Sequence, residues 1–227
     1  MKRRRLATLA ALAMAFGLVP AAVASADAGD LVINEIMQNP AAVADSAGEW
    51  FEVHNTGATP VDMDGWTVSD NDTDSFVITG TLVVPAGGYV VIGNNADFGT
   101  NGGVNVDFEF SGMFIGNSSD ELLLFDSGLV EIDRVEWDNG ATFPDPNGAS
   151  MTLGDPTEDN NDGGNWCEAT STYGAGDRGT PGAANDECTG PPTPDVTIQE
   201  IQGDGNVSPF NGEVVSTQGV VTALFFA

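Results

Sequence analysis

The side chains of this chain that could do chemistry are mostly carboxylates, and their spacing decides what chemistry is open to them. Asp70, Asp72 and Asp74 alternate as the opening of a calcium loop does. A complete EF-hand would need Gly at the sixth position and Glu at the twelfth, where Ser75 and Thr81 stand, so that reading fails. A weak calcium site built from Asp70, Asp72, Asp74 and other loop carboxylates is the cofactor chemistry that remains, set against a solvated acidic turn. Asp155, Glu158, Asp159 and Asp162 pose the same choice. Glu35 and Glu52 invite a reading as paired catalytic carboxylates. Both lie in strand-like runs, where polar residues more often order a loop or accept backbone donors. His54 has no histidine or cysteine neighbour with which to bind metal or relay a proton. Gly174, Gly176 and Gly179 have the spacing of a dinucleotide loop, but Thr180-Pro181-Gly182 follows where a helix must begin. No catalytic residue is assigned.

Those side chains belong to an exported chain. Met1 to Ala26 joins a basic head (Lys2, Arg3, Arg4, Arg5), an apolar run from Leu6 to Val23, and the small residues Ala24, Ser25 and Ala26 before Asp27. This is the pattern of a cleaved signal peptide; the alanines, Pro20 and small residues at its end argue against a membrane anchor. The expected location is extracellular, with periplasmic transit if the host has an outer membrane, and no membrane contact once the leader is removed. The formal charge of −28 becomes −32 when the leader takes its four basic residues away, leaving Arg134 and Arg178 to face 34 Asp and Glu. Such a surface repels phosphate backbones, so direct nucleic-acid binding is not expected. Cys167 and Cys188, an even count in an exported chain, predict one disulfide closing a loop of about 20 residues. The sequons at Asn71, Asn117 and Asn206 are what so Asn-rich a chain produces by chance.

The elements that must position these residues read as strands. Short β-like runs recur between turns, and nothing beyond the leader holds an apolar period of 3.6 over helical length. Strands are expected at Leu31 to Met37, Glu49 to His54, Val61 to Val68 with a kink at Gly65, Phe76 to Ile78, Leu82 to Val84, Tyr89 to Ile92 and Phe108 to Phe110. In the second, Phe51 and Val53 alternate with Trp50, Glu52 and His54, which predicts one buried and one wetter face. A hairpin joins Leu122–Phe125 to Val130–Trp137 through Asp126, Ser127 and Gly128, with a bulge near Asp133 and Arg134 where the apolar phase slips. The expected core includes Phe51, Val53, Trp66 and Trp137. Trp50, Trp66, Trp137 and Trp166 could alternatively form a glycan-stacking face. So many short strands with closely spaced turns point to an all-β sandwich or barrel. From Pro144 to Asp195 the composition turns to loop chemistry, its first part tied to those strands through Met151, Leu153, Trp166 and the cysteines.

Leu31-Val-Ile-Asn-Glu-Ile-Met37, Gly48-Glu-Trp-Phe-Glu-Val-His-Asn-Thr-Gly57, Val61-Asp-Met-Asp-Gly-Trp-Thr-Val68, Val84-Pro-Ala-Gly-Gly-Tyr-Val-Val-Ile92 and Gly179-Thr-Pro-Gly-Ala-Ala-Asn185 resemble, in order, the lamin-tail domain of bacterial secreted proteins. The likeness covers about residues 30–186, departing in the acidic insert Asp70 to Asp74 and in the tract Asp155 to Asp162. It implies an immunoglobulin-like β-sandwich, in agreement with the strand reading. Val196-Thr-Ile-Gln-Glu-Ile-Gln-Gly203, Ser208-Pro-Phe-Asn-Gly212 and Val214 to Ala223 are similar to the start of the OB-like segment of large secreted bacterial nucleases. There a metal-dependent endonuclease/exonuclease/phosphatase domain follows. The apolar end Leu224-Phe-Phe-Ala227 is expected to lie inside a domain.

The expected organisation is a signal peptide at 1–26, a lamin-tail domain at 27–189, a Pro-rich linker at 190–195 and the start of an incomplete OB-like domain at 196–227. The function expected is that of a noncatalytic module that spaces, localises or docks a nuclease domain of the parent chain. The alternative is an independent adhesion module that binds calcium, a protein or a glycan at the cell surface.

Overall fold

The computed structural model of the protein describes residues 30–71 and 73–188. The leader, the linker at 190–195, the OB-like segment and Asp72 lie outside the described residues. Within them the chain is a β-sandwich of a six-stranded and a four-stranded sheet, with a two-stranded ribbon beside them.

The six-stranded sheet contains β1 (Leu31–Met37), β2 (Trp50–Asn55), β7 (Tyr89–Gly93), β8 (Phe108–Glu109), β11 (Met151–Leu153) and β12 (Trp166–Glu168), in the order β12-β11-β1-β2-β7-β8. Its pairs are antiparallel except β7 with β8. The four-stranded sheet, β10-β9-β4-β5, comprises β4 (Thr67–Ser69), β5 (Ser75–Val77), β9 (Ser119–Phe125) and β10 (Glu131–Asp138). The ribbon pairs β3 (Val61–Asp62) with β6 (Val83–Val84). The one α-helix among the described residues is a single turn, α1 (Asp45–Gly48).

Between the sheets lies the main core, which includes Ile33, Phe51, Val53, Trp66, Val68, Leu122, Leu124, Val135 and Trp137. Phe51 and Val53 are fully buried, and Trp66 and Trp137 are each 4% exposed. Aromatic contacts join the two layers: Phe110 stacks on Phe76 of β5 at 5.0 Å and lies 6.4 Å from Phe51 of β2.

Three features depart from the sequence reading. The run Val61 to Val68 is not one strand. At Gly65 φ is +78°, a left-handed conformation that strains any side chain, and the chain swings there from the ribbon into the four-stranded sheet. The outer face of β2 is not wet, since Trp50 and Glu52 are 1% and 0% exposed. A second apolar cluster of Met37, Trp50, Val91 and Val104, joined by Tyr173, covers that face. The segment 144–188 also contributes β11 and β12 to the six-stranded sheet, so loop-like composition conceals two short strands.

Bulges tie the layers together. β10 shifts register between Glu131 and Asp133, and the freed Asp133 carboxylate reaches across to β1, accepting the Ile33 N–H at 2.6 Å. Asn160 donates from Nδ2 both to Asp133 Oδ2 and to the Ile33 carbonyl. Cys167 on β12 is disulfide-bonded to Cys188, with the Cα atoms 5.5 Å apart. Cys188→Ser is expected to lower stability by about 3 kcal/mol through the entropy released to the unfolded loop. Thermal melting measures this, and an unchanged midpoint would contradict it.

Candidate functional site

The bulge in β1 between Ile33 and Glu35 sets the register that brings the paired carboxylates together. Glu35 lies opposite Glu52 on one side and Thr152 on the other, on the outer face of the sheet. Both glutamates are fully buried beneath the chain from Thr180 to Asn185, which forms a strap over the sheet. Ser150 donates its hydroxyl to Glu35 Oε1 at 2.5 Å, the Thr180 N–H donates to the same oxygen at 2.8 Å, and the Thr180 hydroxyl donates to Oε2 at 2.9 Å. Glu52 accepts the Gly182 N–H at 2.5 Å and the Asn34 amide at 2.8 Å. Asn185 completes the closure by donating to the carbonyls of Asn34 and Leu153.

Gly179 opens the strap at a point where any side chain would crowd the Glu35 site. A Cβ there would stand 3.0 Å from Ser150 Oγ and 3.1 Å from Glu35 Oε1. Gly174 packs on the backbone of Gly102 and Gly103, whereas a Cβ at Gly176, where φ is +125°, would meet open space, so the spacing at 174, 176 and 179 answers three separate local demands of the cover. Farther along the same cover, Asp177, 4% exposed, accepts the N–H groups of Ala41 and Ala42, and Trp50 Nε1–H donates to the Tyr173 hydroxyl at 3.2 Å.

This geometry assigns the pair an architectural role. A general acid or base must come within hydrogen-bond reach of its substrate. Glu35 and Glu52 instead accept protein donors under a sealed cover. Desolvation pushes Glu35 above the usual carboxylate range and, opposed in part by Asn34 and Gly182, pushes Glu52 up to about 8. Burial likewise raises Asp133 to about 6, and burial with the neighbouring Asp45 raises Glu49 to about 8. The native state therefore holds protons that the unfolded chain has released. Their contribution is fully present below about pH 4.5 and is lost as pH rises toward 8. Stability is expected to fall between pH 5 and pH 8.5, by on the order of a few kcal/mol. Thermal melts across that range measure it; a melting temperature that rises with pH would contradict the burial of these groups.

The other sequence candidates do not join this site. Asp70 and Asp74 close the β4–β5 turn upon themselves, the Asp74 N–H donating to Asp70 Oδ1 and the Asp70 N–H to the Asp74 carbonyl. Asp155, Asp159 and Asp162 each accept an N–H two residues on, from Thr157, Asn161 and Gly164. Among the described residues no three His, Cys, Asp or Glu side chains are placed to hold a metal ion. His54 stacks on Tyr89 at 4.4 Å, and burial lowers its pKa. Trp50, Trp66, Trp137 and Trp166 are all at most 5% exposed, so they present no stacking face for a sugar. Sequence reasoning overlooked Thr180, Asn185, Asp133 and Asn160. The run Gly179-Thr-Pro-Gly182 with Asn185 was the available signal, since a strap needs donors aimed at buried acceptors.

Two packed sheets, antiparallel but for the β7–β8 pair, with buried inner faces and a strapped outer face define an immunoglobulin-like β-sandwich. The chain belongs to the lamin tail domain family, whose model matches residues 24–139. None of the curated proteins matches it. The family match ends just after β10, whereas β11, β12 and the strap complete the same six-stranded sheet. Among the described residues no helix is long and apolar enough to cross a membrane.

Proposed function

We propose that this chain is a noncatalytic secreted module that spaces, localises or docks a nuclease domain encoded beyond these residues. The observation that carries the reading is the burial of Glu35 and Glu52 under the strap, which makes this chain's paired carboxylates structural acceptors. The acidic surface supports it as well, because a module carrying this charge would leave contact with phosphate backbones to another domain. The OB-like likeness of 196–227 supports a nuclease as that domain.

Reading the coding sequence past Ala227 and expressing its full product tests the proposal. A metal-dependent phosphodiesterase domain is expected downstream. Deleting residues 27–189 should leave its turnover of a short soluble duplex intact while changing its distribution between cell surface and medium. A stop codon after Ala227, or phosphodiester hydrolysis by the chain on its own, would overturn the reading.

A further inference from the structure

A cleft of about 480 Å³ opens near the start of β2, away from the strap. Its walls include Phe110, Met113 and Phe114; the first two are buried, and Phe114 is 79% exposed. Glu49, only 7% exposed, contributes a carboxylate, and Asp45 of α1 lies beside it. Asn94 fixes the arrangement. Its Nδ2 donates to the Asp45 carbonyl at 2.7 Å and to Glu49 Oε2 at 3.0 Å, which sets its orientation. Its Oδ1 is shut off from solvent and has no hydrogen-bond partner within the protein.

The described residues offer this acceptor set no cation. Arg134 is paired with Glu131 and Glu136, and Arg178 with Glu168. The charges nearest Glu49 are those of Asp45 and Asp120, both negative. A cleft whose walls combine apolar side chains, an exposed aromatic and carboxylates that meet no cation fits one side-chain chemistry: an alkyl stem ending in a cation.

We infer that this cleft is a docking site for a lysine side chain of a basic partner protein, its stem lying on Phe110, Met113 and Phe114 and its ammonium meeting the carboxylates of Glu49 and Asp45. Lysine fits better than arginine. An ammonium directs three donors to acceptors on different sides, whereas a guanidinium fork needs both oxygens of one carboxylate, and Asn94 already occupies Glu49 Oε2. The strong negative charge of the chain would steer such a partner toward it. The inference stands on this geometry and does not depend on the identity of any downstream domain.

NMR titration of the purified chain with the peptide acetyl-Ala-Lys-Ala-amide, alongside its norleucine and arginine counterparts, tests it. The lysine peptide is expected to shift the Asn94 side-chain amide and the Ile115 backbone amide saturably below about 50 mM, with the norleucine peptide at least about tenfold weaker and the arginine peptide weaker than lysine. At pH 8.5, where Glu49 is ionised, Glu49→Gln, which keeps the side-chain shape and removes the charge, should weaken lysine binding at least about tenfold with no loss of melting temperature. Phe114→Ser, at an exposed position that the fold does not need, should weaken it severalfold. Lysine affinity should rise between pH 6 and 8.5 as Glu49 ionises beside Asp45 and Asp120, while the lysine itself stays charged. No saturable shift, equal binding of norleucine or arginine, or full affinity in both variants would overturn the assignment.

Discussion

Replacing Phe51 by Ala is expected to lower the unfolding free energy by about 3 to 5 kcal/mol. The ring has no solvent exposure and faces the core from β2, between β1 and β7, with Phe110 at 6.4 Å. Truncation removes apolar area that burial had taken from water and leaves a cavity bounded by both sheets, which cannot collapse without breaking strand pairing. Trp66→Ala should behave similarly, because Trp66 enters the same core just after the Gly65 turn. Urea denaturation measures both; a loss below about 1 kcal/mol in either would place the core elsewhere.

The second large effect concerns the strap. Glu52→Ala and Glu35→Ala are each expected to cost about 2 to 4 kcal/mol at pH 5, because each strands buried donors. Glu35 serves Ser150 and both donors of Thr180, and Glu52 serves Gly182 and Asn34. The loss should shrink at pH 8.5, where the wild type must itself hold buried groups that favour protonation. A penalty that grows with pH would mean that the carboxylates are ionised at little expense, and the sealed arrangement would be wrong.

Much of the sandwich was legible because strands half-buried in one core advertise themselves through alternation. Leu31 to Met37, Tyr89 to Ile92 and the β9–β10 hairpin appear within a residue or a few of where the sequence places them. Legibility failed where a second layer was present. The alternation of β2 reads as one wet face because Glu52 and His54 are polar, yet a cover supplied from residues more than a hundred positions away buries Glu52 completely. Local pattern carries no information about such a cover. β11 and β12 escaped notice for a related reason: at three residues each they are too short for periodicity, and they exist through pairing with β1 and with each other.

The acidic residues also changed meaning. In sequence, Asp70 to Asp74 and Asp155 to Asp162 read as cation ligands or solvated surface. In the fold, Asp70, Asp155, Asp159 and Asp162 accept backbone N–H groups within their own turns, as Asp62, Asp97, Asp126 and Asp138 do elsewhere. Eight of the 34 acidic residues thus serve turn geometry in a fold made of short strands, for which aspartate is well suited. The site itself was half visible: Glu35 and Glu52 stand out in sequence, but their partners on the strap become apparent only when the chain folds back across β1 and β2.

The account rests on Glu35 and Glu52 holding the strap, and native-state hydrogen exchange at the Thr180 and Gly182 amides tests this most directly. In the wild type both amides should be protected to nearly the level of Val68 and Leu124 in the opposite sheet. In Glu35→Ala the Thr180 amide, and in Glu52→Ala the Gly182 amide, should exchange at least about a hundredfold faster with Val68 and Leu124 still protected. Rapid exchange of both amides in the wild type, or undiminished protection in the variants, would contradict it.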